Sequence, residues 1–129
     1  MKLIVLLKLQ LLYLIFGLAY NLISLIMFNA GGKALSETSP LLGAATLLIY
    51  GLFLITGFAG RQKAYRVLML VAFLVLGYGG VVSHILNYSN LELYYSAAAW
   101  LVAILINLYG AVLNLIAFTG RYKTAVEEV

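Results

Sequence analysis

Charged residues cut this chain into four long apolar windows. Between Lys8 and Lys33 lie 24 residues without a formal charge, between Glu37 and Arg61 lie 23, between Arg66 and Glu92 lie 25, and between Glu92 and Arg121 lie 28. A helix needs roughly 20 apolar residues to cross the hydrocarbon core of a bilayer. Helix is also the form in which a lone segment satisfies its own backbone groups there. The pattern therefore predicts transmembrane helices over about 9–28, 41–59, 67–88 and 95–118.

The expected fold class is all-α, an integral multi-pass membrane protein of four transmembrane helices in a single domain spanning 1–129. The connection over 29–40 and the tail after Thr119 are too short to fold alone. Pro40 behind Ser39 marks the start of the second helix, because proline needs no N–H in the first turn and serine caps it. Lys8 interrupts the first apolar run soon after Lys2, and no small-x-small cleavage pattern follows. The segment is read as a permanent helix, with Lys8 snorkelling to the interface.

Charge then orients the chain. Lys2, Lys8, Arg61, Lys63, Arg66, Arg121 and Lys123 fall on one side, and Lys33 alone falls on the other. The positive-inside bias places both termini and the loop between helices 2 and 3 in the cytoplasm of a plasma (inner) membrane. Composition agrees: 65% of the residues are hydrophobic and 9% charged, with mean hydropathy +1.08, which leaves too little polar surface for a soluble domain. The net charge of +4 sits in these flanks and calls for a lipid bilayer, not nucleic acid.

A phrase recurs at sixty residues. GFAGRQKAYR at 57–66 resembles AFTGRYKTAV at 117–126, Tyr50-Gly51 matches Tyr109-Gly110, and Gly17 matches Gly77. This predicts a duplicated two-helix hairpin, with repeats at 9–63 and 67–123 related by an axis along the membrane normal. The plainer reading is punctuation, since a glycine stop followed by Arg61 and Lys63, or Arg121 and Lys123, suits any cytoplasmic helix end. The same four cations are candidate contacts for anionic lipid or a partner.

Absences bound the chemistry. The chain has no Cys and no Asp, its acids are Glu37, Glu92, Glu127 and Glu128 in loops or tail, and His84 is its one histidine. A zinc site and the usual catalytic pairs lack their ligands. A Ser/His dyad of His84 with Ser83 or Ser24 is formally possible, but adjacent helical residues such as Ser83 and His84 point about 100° apart. No enzymatic activity is expected, and no ionisable Asp, Glu, Lys or Arg lies inside the windows to couple transport to protons. No cofactor is required. His84 is the one candidate ligand, for haem or chlorophyll, with Gly77, Gly80 and His84 at i, i+3 and i+7 as a groove for a flat macrocycle. The alternative is a structural polar residue.

Small and polar residues form stripes that point to helix contacts or a pathway. Helix 1 carries Gly17 and Ser24 beside Tyr13 and Tyr20, with Asn21 adjacent; helix 2 carries Gly51; helix 4 carries Asn107, Gly110 and Asn114. Tyr88, Tyr94 and Tyr95 outside, and Tyr65 and Tyr122 inside, are expected as interfacial anchors. The first functional reading is an accessory, assembly or structural subunit acting on other transmembrane helices in a hetero-complex or homo-oligomer. The alternative is a small oligomeric transporter or channel lined by Asn107, Asn114 and a break at 77–80, and a third is a binder of an apolar cofactor or lipid through His84.

Overall fold

The four windows become four long helices. In the computed structural model, which describes residues 1–128, α1 runs Leu3–Asn29, α2 Pro40–Phe58, α3 Gln62–Leu86 and α4 Ala97–Thr119, each long and apolar enough to cross a membrane. There is no strand among the described residues. α1 starts six residues earlier than the apolar pattern implies and α3 five, because a charge ends a hydrophobic window without ending a helix. Lys8 stays within α1 and simply points outward. Within α3 the helix Gln62–Gly77 passes through a π turn at Tyr78–Val82 and resumes over Ser83–Leu86, so the glycine-rich stretch at 77–80 bulges the helix without breaking it.

Capping follows from local chemistry. Ser39 Oγ accepts the Leu42 N–H at 3.4 Å ahead of Pro40, and Ser96 Oγ accepts the Ala99 N–H at 3.0 Å ahead of α4. At the other ends, Gly60 (φ 72°) and Gly120 (φ 70°) take the left-handed conformation. The Arg61 N–H then bonds Thr56 O at 2.9 Å and the Arg121 N–H bonds Ile116 O at 3.2 Å, the same backbone stop at both copies of the repeated phrase. α1 ends likewise at Gly31 (φ 80°), where the Gly32 N–H reaches Met27 O at 3.1 Å without any basic residue following at once.

Consecutive helices are antiparallel. α1 lies closely on α2 and α3 on α4, α1 also meets α4, and α2–α3 is the loosest neighbouring pair. The core is formed by Leu6, Leu7, Leu54, Met69, Leu113 and Ala117 with the rings of Tyr13, Tyr50 and Tyr65. Outside it, Ile15, Leu22, Leu52 and Leu74 are exposed, as a bilayer permits. Each end is tied across the bundle. At the basic end the Leu3 N–H bonds Lys123 O at 2.9 Å, and Tyr122 Oη donates to Gln62 Oε1 at 2.7 Å. At the opposite end the Leu35 N–H bonds Ser24 Oγ at 2.9 Å, and the Tyr95 N–H bonds Leu35 O at 3.2 Å.

Gly60 tests the helix stops, because a Cβ built there meets nothing within 4 Å and the only penalty is the left-handed backbone. Gly60→Ala is expected to lower the unfolding free energy by about 1 kcal/mol, and Gly60→Asn by less, read by denaturant unfolding in bicelles. Equal stability of all three forms would show that the stop tolerates any residue.

Candidate functional site

Two polar assemblies lie inside this apolar bundle. The first joins all four helices. Gln10 of α1, fully buried, accepts from Tyr65 Oη of α3 at 2.5 Å and donates through Nε2 to Asn114 Oδ1 of α4 at 3.1 Å and to Met69 Sδ at 3.2 Å. Tyr50 Oη of α2 donates to the same Asn114 oxygen at 2.7 Å. One layer further along, Tyr13 Oη donates to Asn107 Oδ1 at 3.1 Å, and Asn107 Nδ2 returns to Ala103 O of its own helix at 2.8 Å. Asn114 Nδ2 is left without a partner among the described residues. A group of that kind costs about 1–3 kcal/mol, a cost carried by the bonds around it.

The second assembly is a cavity of about 200 Å³ between this layer and the end opposite the basic one. Its floor is Asn107, which also closes the first assembly. Tyr20 and Asn21 of α1, Thr46 of α2 and His84 of α3 supply polar walls, and Ser36 and Thr38 of the connecting loop complete them. No charged side chain lines it. Two close approaches of asparagine to glycine shape the space. A Cβ on Gly43 would lie 2.2 Å from Asn21 Oδ1, and one on Gly80 would lie 2.3 Å from Asn107 Oδ1. Only glycine lets these amides enter the α1–α2 and α3–α4 interfaces, since atoms cannot approach so closely.

His84 is held from the loop side. Its Nδ1 lies 2.6 Å from Tyr94 Oη, and its carbonyl accepts the Trp100 Nε1–H at 2.7 Å. Tyr94 Oη also accepts from Asn87 Nδ2 at 3.3 Å, and Asn87 Nδ2 is bonded in turn to Glu37 Oε1. Burial pushes the Tyr94 phenol above its ordinary value, against the Asn87 hydrogen bond, so it remains a neutral hydroxyl at pH 7. With Nδ1 turned to Tyr94, the polar atom that the ring keeps for the cavity is Nε2.

The remaining residues singled out in the sequence divide between interior and rim. Gly17 lies against Leu47, Gly51 against Leu14 and Gly110 against the Tyr13 ring. Ser24 Oγ is occupied by the Leu35 N–H, and no hydrogen bond joins a serine to His84 among the described residues. Arg61, Lys63, Arg121 and Lys123 are exposed at the basic end. The three residues singled out as a macrocycle groove, Gly77, Gly80 and His84, lie in different surroundings. The π turn adds a residue between Gly77 and the other two, Gly77 faces open space, and Asn107 fills the place over Gly80. No group of three metal-ligating side chains occurs among the described residues.

Two expected interfacial anchors are interior residues instead: Tyr65 and Tyr94 are 0% and 1% exposed, the first bonded to Gln10 and the second to His84. Tyr88 and Tyr95 are exposed, and Tyr122 is half-buried. Gln10 is not marked by the charge pattern, since it stands two residues from Lys8 at the edge of the first apolar window. With α1 starting at Leu3 it lies two turns inside the helix, on the face away from Lys8. Its signal was there, as a lone amide in an apolar run.

Comparison of the chain with protein-family models, curated proteins and solved structures gives no match.

The four-helix network makes a measurable demand. Gln10→Leu and Tyr65→Phe should each destabilise the bundle, while the double variant loses less than their sum. The expected coupling in a double-mutant cycle is about 1 kcal/mol, measured by unfolding in bicelles. Additive losses would mean that the two side chains stabilise the bundle independently.

Proposed function

We propose that this protein is a non-catalytic, membrane-embedded binding module, which holds a small uncharged molecule in the cavity bounded by Tyr20, Asn21, His84 and Asn107. The observation that carries this reading is the cavity itself, a largely apolar space inside the four-helix bundle on which a few uncharged polar side chains converge. Mostly apolar pockets with a few convergent polar groups are the usual form of small-molecule sites. Below the cavity the Tyr13–Asn107 and Gln10–Asn114 layers fill the interior from helix to helix. Conduction by one copy would require both layers to open, so binding is favoured over passage.

A second reading, an accessory or assembly subunit, has one observation of its own. The interior takes up most of the small-residue stripes, with Gly17 on Leu47 and Gly110 on Tyr13, but a Cβ on Gly77 of α3 would meet nothing within 4 Å. That bare position leaves room for a helix of a partner or of a second copy.

In this reading the basic end is cytoplasmic and the cavity lies in the outer half of a plasma membrane. Seven of the eight cations at one end support that placement, and Arg61, Lys63, Arg121 and Lys123 there meet anionic headgroups. The two hairpins derive from a duplication, supported by the like pairing of α1 with α2 and α3 with α4 and by the matching stops at Gly60 and Gly120. Their interiors have since diverged, since Gly17 is packed and its counterpart Gly77 is not.

Purification in lipid nanodiscs, followed by native mass measurement and extraction of bound small molecules, tests the proposal. A molecule retained in about equimolar amount, and lost on Asn21→Leu, is the expected result. Asn21 Nδ2 bonds the Gly17 carbonyl of its own helix at 2.8 Å, so the exchange leaves no group of a neighbouring helix unpaired. An empty cavity with a heteromeric mass sensitive to Gly77→Leu would move the accessory reading to first place. Reporters fused to the C-terminus and to the α2–α3 turn should both prove cytoplasmic.

A further inference from the structure

We infer that the ligand of this cavity is a neutral ring carbonyl compound on an apolar tail, the chemistry of a membrane quinone, and that it enters from the lipid between α2 and α3. The inference rests on the binding reading above and gives that site its ligand class and its door.

The door follows from which wall residues also face outward. Leu42 of α2 and Val75 of α3 line the cavity yet are 64% and 56% exposed, and both belong to the loosest of the neighbouring helix pairs. Gly79 lies between them on the α3 side, exposed, with nothing within 4 Å of where a Cβ would stand. Leucine, valine and a bare glycine make an opening suited to an apolar tail, while the polar groups lie behind it. A solute arriving this way must already be dissolved in the membrane.

The head follows from charge, size and the direction of hydrogen bonds. No charged side chain lines the cavity, so an ionic head would be buried without a partner. A cavity of about 150 Å³ accepts benzene, and this one, at about 200 Å³, has room for one six-membered ring with polar substituents. The hydrogen-bond chain from the loop then assigns the donor. The Glu37 carboxylate can only accept, so it fixes the Asn87 amide with Nδ2 toward it, and that same Nδ2 reaches Tyr94 Oη. With Asn87 on its oxygen, the Tyr94 hydroxyl keeps its own proton for His84 Nδ1, and we take the tautomer in which that bond runs from tyrosine to histidine. Neutral His84 therefore carries its proton on Nε2 and offers a donor to the cavity. The complementary group is an acceptor without a charge, a demand that a ring carbonyl oxygen meets.

The chain's single tryptophan, Trp100, bonded to the His84 carbonyl, provides the readout. Nanodiscs carrying the full chain are titrated with a decyl-tailed benzoquinone, and Trp100 emission is followed. Saturable quenching is expected, displaced at least tenfold less well by decylbenzene, which has the ring and tail without the carbonyls, and not displaced by decylamine. Gly79→Phe, placed in open space, should weaken quinone binding at least tenfold by narrowing the mouth. His84→Phe should do so by removing the donor while keeping a ring of similar size. Quenching that grows linearly without saturation, or equal affinity for quinone and decylbenzene, overturns the ring-carbonyl class. Undiminished binding in Gly79→Phe overturns the lipid-side door. If the native extract yields a retained molecule that the quinone cannot displace, the class is wrong and the binding reading stands; if neither a retained molecule nor quinone binding is found, both fall.

Discussion

An amide inside a bilayer has no water to turn to, and Gln10 resolves that constraint by bonding across the bundle. It reaches Tyr65 of α3 and Asn114 of α4 directly, and α2 joins through the Tyr50 hydroxyl on Asn114. Hydrophobic packing alone discriminates poorly between arrangements of helices in lipid, because lipid tails are as apolar as leucine. Directional bonds from four helices to a shared pair of amides select one register and one order around the axis. The apolar core of Leu6, Leu54, Met69 and Leu113 fills in around that choice.

The cavity is a consequence of the same device carried one step further. Asn107 caps the network through Tyr13 and also floors the open space, so the sealed and the hollow parts of the interior share a residue. Gly43 and Gly80 make it geometrically feasible, each receiving the amide of an asparagine where any side chain would collide. The π turn in α3 supports this arrangement by resetting the helix phase between Gly77 and His84, so that His84 is buried toward Tyr94 while Gly77 remains on the rim. A bulge at the wall of a cavity is where such turns are commonly found.

Loop order completes the site from outside the membrane. Glu37 and Asn87 belong to the two connections at the non-basic end, and their bond runs on through Tyr94 to the imidazole. One carboxylate in a loop is thereby linked, through an amide and a phenol, to the buried ring. A charged residue in a loop thus reaches the interior through neutral side chains and is itself spared the cost of entering.

Four helices long and apolar enough to cross a membrane, the Ser39 cap and the glycine stops were legible in the residues alone, because hydrophobic length, caps and left-handed glycines are local properties. Ser39, Ser96, Gly60 and Gly120 act through neighbours at most a few residues away. The roles of Gln10, Tyr65, Tyr94 and His84 were not legible, because each depends on a partner ten to a hundred residues distant that only packing brings within reach. The same holds for the glycines. Gly17 and Gly77 look alike in sequence, yet one lies under Leu47 and the other faces open space, since their environments are made by helices that neither belongs to. Local chemistry decided which segments can cross a membrane; the tertiary structure decided which polar groups meet there and where they leave a cavity.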